Sequence, residues 1–128
     1  MTISVSADNL DQVRDLANGH PSIWCTQGIH PHEADSWCPA LASRVKTGAE
    51  DGRVVAIGEI GLDYHYDHAD RQAQKTAFDE QLGLAAELSL PVVIHTREAD
   101  HDTRAILANH SSSLKRKGVI HSFTSSLA

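Results

Sequence analysis

Several apolar runs in this sequence stop on side chains that bind metals or transfer protons. Ile29 is followed by His30-Pro31-His32, Gly58 by Glu59, Ile94 by His95 and Ile120 by His121. The stretch VVAIGEIGLDYHYDHADRQ, residues 54–72, shows the change most sharply: a buried-looking run gives way to Glu59, Asp63, His65, Asp67 and His68. One histidine at the end of an apolar run is usually a hydrogen-bonded structural group. Four runs ending on a carboxylate or an imidazole make a different case. One carboxylate with two or three imidazoles suits Zn²⁺ or Mn²⁺, and oxygen-rich versions of the same set admit Mg²⁺. Such a cation polarises a phosphoryl oxygen, acidifies water and neutralises a leaving oxygen. Thr96, Ser122 and Thr124 add hydroxyls close by, but no Gly-x-Ser-x-Gly elbow accompanies them, which argues against a serine hydrolase.

Groups so far apart in the chain need a frame to gather them, and hydrophobic periodicity predicts one. Residues 2–6 read as a first strand. Asp8 reads as the N-cap of a helix carrying Leu10, Val13, Leu16 and Ala17 on one face and stopped by Asn18-Gly19. Residues 22–29 form a second strand, Pro39 opens a helix with Leu41, Ala42 and Val45, and residues 54–58 form a third strand. The clearest helix spans about residues 71–89, with Ala77, Phe78, Gln81, Leu82, Leu84, Ala85 and Leu88 near helical spacing. Pro91 precedes a fourth strand of Val92, Val93 and Ile94; a short helix over 103–109 and Gly118 then lead to a fifth, Val119 and Ile120. Continuously apolar, β-branched strands alternating with helices predict an α/β domain over residues 1–128, its parallel strands buried on both faces. Ligands gather at the C-terminal edge of such sheets, and each candidate residue is expected there.

The formal charge of −6 argues against a broad basic surface for nucleic acid, so a polyanionic partner would need a locally bound cation. No apolar run is long enough to span a bilayer and no signal-peptide pattern is present, which predicts a cytoplasmic protein. Cys25 and Cys38 lack CxxC spacing and are expected as small buried or half-buried thiols. His65, His68, His101 and His110 are expected on the surface.

The segments GIHPH (28–32), AIGEIGLDY (56–64), Arg71-Gln72 with the Phe78/Gln81/Leu82 helix, LPVVIHTR (90–97) and GVIHSF (118–123) together resemble the TatD family of metal-dependent deoxyribonucleases. The resemblance covers nearly the whole chain in the family's order. It implies a TIM barrel that hydrolyses DNA phosphodiesters, typically as a 3′ to 5′ exonuclease, with one or two divalent cations (Mg²⁺, Mn²⁺ or Zn²⁺) per site. By the same resemblance Glu59, His95 and His121 are the catalytic metal ligands, and His30 lies near the substrate. Asp63 reads either as a group orienting Arg or His side chains or as a turn residue after Gly61-Leu62. Arg97 reads either as a bidentate phosphate clamp or as a solvated arginine. The family's first strand, with its aspartate or histidine pair, and the aspartate of its last strand have no match here. The five expected strands would then be the family's strands two to six. A complete barrel needs about 250 residues, so a truncated, partial (β/α)8 barrel is expected.

Two other readings stand beside the nuclease. One is a metal-dependent hydrolase of a small amide or ester. The other is an inactive partial barrel that self-associates through open sheet edges near residues 2–6 and 119–122.

Overall fold

The computed structural model describes residues 1–66 and 68–121, so that Asp67, Ser122 and Thr124 lie outside the described residues. Its elements are α1 (Leu10–Gly19), β1 (Cys25–Gln27), α2 (Pro39–Gly48), β2 (Val54–Asp63), α3 (Arg71–Leu88), β3 (Val92–Arg97), α4 (Asp100–His110) and β4 (Val119–Ile120), with 3-10 turns at Ala7–Asn9 and Pro31–Ser36. The sheet order is β1-β2-β3-β4 and every pairing is parallel. Each crossover therefore steps to the next strand in the same direction, as in a singly wound (β/α) barrel; a doubly wound sheet would reverse its order at a switch point. Among the described residues, no helix is long and apolar enough to cross a membrane.

The core lies where β2 meets α3 and β3. Ile57, Ile60 and Leu62 are fully buried and belong to one cluster with Phe78, Leu82 and Ile94. Asp70 caps α3, its carboxylate accepting from Ala73 N–H at 3.1 Å. Two amides interrupt the apolar face of α3. Gln74 accepts from Asp63 N–H at 2.8 Å and donates to Asp63 O at 3.2 Å. Gln81 does the same to Ile29, at 2.8 and 3.2 Å. Each buried glutamine thus pairs with a strand-end backbone as a neighbouring strand would.

Four expectations about elements need correcting. Residues 2–6 make one isolated bridge, Thr2 to Cys25, rather than a strand. Beyond it Ser4 N–H turns to the Thr26 hydroxyl at 3.1 Å, which takes the place of a backbone acceptor and breaks the ladder. β1 ends at Gln27, short of Ile29, because Gln81 has already taken the Ile29 backbone. Asp8 is inside a 3-10 turn and does not cap α1; Asn9 Oδ1 accepts from Val5 and Ser6 N–H at 3.0 and 3.1 Å instead. Cys38 is exposed, while Cys25 is buried as expected, and both are free thiols.

Ser4 sits at the centre of a buried polar network. Its hydroxyl accepts from Gly28 N–H at 2.7 Å and directs its own proton toward Gly28 O or Gly58 O, at 3.0 and 3.1 Å. The Thr26 hydroxyl donates to Gly58 O at 2.7 Å. A Ser4→Ala chain leaves the Gly28 N–H buried without a partner. It is expected to lose about 1–3 kcal/mol, read as a lower urea midpoint at unchanged slope.

Candidate active site

The candidate residues converge, although two of them are not at strand ends. Glu59 lies inside β2. The register passes from Gly58 opposite Val93 to Ile60 opposite Ile94, leaving Glu59 as the extra residue of a bulge. Its N–H goes to Ser4 O at 3.0 Å, off the β3 ladder. His95 lies inside β3, in register with Gly61, and the last residues of the two strands are Asp63 and Arg97, which face each other. His121 follows β4 directly, its N–H bonded to Ile94 O at 2.7 Å. His30 precedes the 3-10 turn that carries His32.

Glu59 Oε1 accepts from His95 Nδ1 at 3.2 Å and from His121 Nδ1 at 3.1 Å. Asp63 Oδ2 accepts from His95 Nε2 at 2.8 Å and from His32 Nε2 at 2.9 Å. The His30 ring lies 4.4 Å from that of His32 and 4.5 Å from that of His95. A cavity of about 190 Å³ lined by Val5, His30, His32 and Glu33 opens beside them. The predicted set of Glu59, His95 and His121 is thus joined through one carboxylate oxygen. His30 and Asp63 flank it, and Arg97 stands half-buried at the end of β3.

Burial opposes the charge on Glu59, yet the hydrogen bonds from His95 and His121 outweigh it and hold the carboxyl down to about 2. Burial likewise opposes the charge on Asp63, but the Tyr66 N–H and the rings of His32 and His95 bring it to about 2. An ionised carboxylate can only accept. Both nitrogens of His95 face such oxygens, so both carry protons here. Burial disfavours that cation, and the two carboxylates overcome burial and raise its pKa. His30 goes the other way, lowered to about 4 by burial and then by the charge of His95. Its Nδ1 accepts from His32 N–H at 3.1 Å, which puts the proton of the neutral ring on Nε2 as a donor.

These shifts fix how the metal-free chain responds to acid. Between pH 6.5 and about 4 the unfolded His30 takes up a proton that the folded residue, facing His95, Glu59, His32 and Asp63, refuses. Its contribution to stability falls as pH drops through that window. The contribution of His95 is intact below 6.5 and is lost only as pH rises through its raised folded value. Glu59 and Asp63 lose theirs below their ordinary values of 4.5 and 3.8. In chelator, stability is expected to rise from about pH 5 to 6.5 by no more than about 1.4 kcal/mol per unit, read from urea midpoints. His30→Gln should flatten the rise.

The donor set fits a divalent cation on release of one ring proton from His95, since a protonated nitrogen has no lone pair to offer. One nitrogen from each of His30, His32 and His95 lies within 4.8 Å of the others, and two ionised carboxylates border them. The sequence alone assigns His32 no separate role and does not single out Gln74, which holds the Asp63 backbone. A polar amide seven residues before Gln81 on an apolar helix face was the available signal. His65 and His101 are exposed as expected, paired with Glu98 and Asp102. His110 is half-buried against Asp79 at 2.8 Å. His68 is exposed, but its ring lies 4.6 Å from that of His32.

Comparison with known proteins bears on this arrangement. The sequence model of the family described as TatD related DNase matches residues 1–128. A protein of Klebsiella pneumoniae (strain 342) named 3'-5' ssDNA/RNA exonuclease TatD is 42% identical over 115 residues, which cover 90% of this chain and 43% of that protein. Its namesake in Erwinia tasmaniensis is 45% identical over 114 residues, covering 88% of this chain and 44% of the relative. The chain therefore spans less than half the length of these curated relatives. The crystal structure of YJJV, a TatD homologue from Escherichia coli K12, superposes with a TM-score of 0.89 at 32% identity, over 98% of this chain and 48% of that one. A TatD family hydrolase from Entamoeba histolytica shares the fold, with a TM-score of 0.83 at 23% identity over 97% of this chain and 44% of that one.

Proposed function

From the premise that this chain belongs to the TatD related DNase family, we propose that it carries the metal-binding half of a hydrolase that cleaves phosphodiester bonds of single-stranded nucleic acid from the 3′ end. The observation that supports this reading most is the sharing of Glu59 Oε1 by His95 and His121, three residues from three strand regions meeting at one atom. Glu59, His95 and His121 would hold a divalent cation, with His32 and His30 beside them. Such a cation, of the Mg²⁺, Mn²⁺ or Zn²⁺ class, supplies positive charge to the phosphoryl oxygens and acidifies a water.

The chain's own residues do the rest. Glu59 is ionised at neutral pH and offers its oxygens without first losing a proton. Asp63 fixes the rings of His32 and His95 and so holds the imidazoles in one orientation. His30, neutral with its proton on Nε2, donates to a phosphate oxygen. Arg97, which makes no side-chain ion pair among the described residues, supplies a forked donor to the same group. Arg97→Ala is expected to raise KM about tenfold with little change in kcat and none in metal affinity, the pattern of lost uniform binding.

The test is hydrolysis of an end-labelled single-stranded oligonucleotide with Mg²⁺, Mn²⁺ or Zn²⁺, beside chelator. Shortening from the 3′ end that disappears in chelator is the expected result. An intact oligonucleotide with a folded chain by circular dichroism would overturn activity of this chain. Exposed Val119 and Ile120 on the edge strand β4, at 59% and 41%, support self-association as a second reading. A solution mass above that of one chain, by light scattering, tests it.

A further inference from the structure

The loop after β2 carries rings that the chemistry above does not use. Tyr66 is 54% exposed, and its ring plane lies within 7° of that of His68, the centroids 5.7 Å apart. His32 meets both edge-on, at 5.6 Å and 79° from Tyr66 and at 4.6 Å and 72° from His68. His65 stands perpendicular to Tyr66 at 4.7 Å. Aromatic pairs prefer offset-parallel and edge-to-face geometries at these separations, so the group holds its own shape while Tyr66 stays more than half exposed.

Asp63 ties these rings to the imidazole cluster. Its Oδ1 accepts from the N–H groups of His65 at 3.0 Å and Tyr66 at 2.9 Å, while Oδ2 accepts from His32 and His95. One buried carboxylate therefore sets the distance between the exposed rings and the residues proposed to handle the phosphate. The charge balance gives such rings a task. A chain of formal charge −6 gains little from phosphate neutralisation over its surface. Stacking of bases on aromatic faces adds affinity at each base with little regard to sequence. A duplex hides its base faces inside the stack, so an exposed ring selects unpaired bases.

We propose that Tyr66 and His68 form a stacking ledge for an unpaired nucleobase of the strand whose phosphate lies at the imidazole cluster. This rests on the phosphodiesterase reading above. It adds a specificity element for single strands, and DNA and RNA should use it alike because their bases present the same faces.

The test is binding, in Mn²⁺, of a single-stranded oligonucleotide carrying 2-aminopurine at its 3′ end, with the terminal linkages made phosphorothioate to resist cleavage. A matched oligonucleotide with abasic 3′ positions serves as the comparison. The full chain is expected to quench the 2-aminopurine and to bind the base-bearing strand about tenfold more tightly than the abasic one. Tyr66→Ala should abolish both the quenching and that preference, His68→Ala should weaken them, and Tyr66→Phe should restore them. Tyr66 is exposed, so its replacement leaves the core intact. Equal quenching and equal preference in the full chain and in Tyr66→Ala would overturn the ledge while leaving the nuclease reading in place. Failure of every form to bind either strand would overturn both.

Discussion

A Glu59→Gln chain is expected to lose at least about 100-fold in Mn²⁺ affinity by calorimetric titration and to show no cleavage above the chelator background. Changing even a group that orients a metal ligand costs roughly 10–100-fold in affinity, and a charged ligand should cost no less. Here the oxygen that would be neutralised is the one shared by His95 and His121. Glutamine keeps the shape and can still accept, but it lacks the charge that attracts a cation. Loss of about 4 kcal/mol from the barrier-lowering interaction corresponds to about a thousandfold in rate. Circular dichroism should be unchanged, which separates loss of the site from loss of the fold. An oligonucleotide assay in which Glu59→Gln cleaves at the parent rate would remove Glu59 from the chemistry.

Gly61→Ala is expected to remove much of the chain's stability. Gly61 has φ 140°, and a Cβ built on it falls 1.9 Å from the carbonyl oxygen of His95. That oxygen is backbone in a neighbouring strand and cannot turn aside as a side chain would. Disfavoured backbone and overpacking each cost about 1–3 kcal/mol, and a domain of this size has only about 5–15 to lose. The damage is not confined to stability. Gly61 lies midway between Glu59 and Asp63 in β2, so moving it displaces both carboxylates. Thermal unfolding is the measurement; a variant that melts with the parent chain would show that the two strands can separate there at little cost.

Much of this could be read from residue order. The apolar runs before His30, Glu59 and His95 marked a buried strand or its margin, and the run before His121 marked a strand that is exposed instead. A ligand-type side chain following such a run has few other reasons to be there. The helix over 71–89 was equally legible, because its apolar spacing extends over several turns. What escaped was set between segments. No local pattern shows that Glu59 is a bulge residue inside β2, since the bulge exists only against the register of β3. Residues 2–6 have strand composition, and two hydroxyls interrupt their pairing, Thr26 accepting from Ser4 N–H and Ser4 accepting from Gly28 N–H. Gln74 resembles any polar residue on a helix until its contact with Asp63 is seen.

The two glutamines of α3 also act as a ruler. Seven residues separate Gln74 from Gln81, two turns of helix and about 10 Å of rise, so both amides leave the same face and each reaches a different strand-end backbone. One residue inserted between them would rotate the second by about 100° away from Ile29, and one deleted would rotate it as far the other way. Insertions and deletions should therefore be excluded from this stretch of α3, even where the outward side of the helix tolerates substitution freely. Leu82 and Ala85, both fully buried, carry the constraint on past Gln81, so changes in helix length should collect after Ala85.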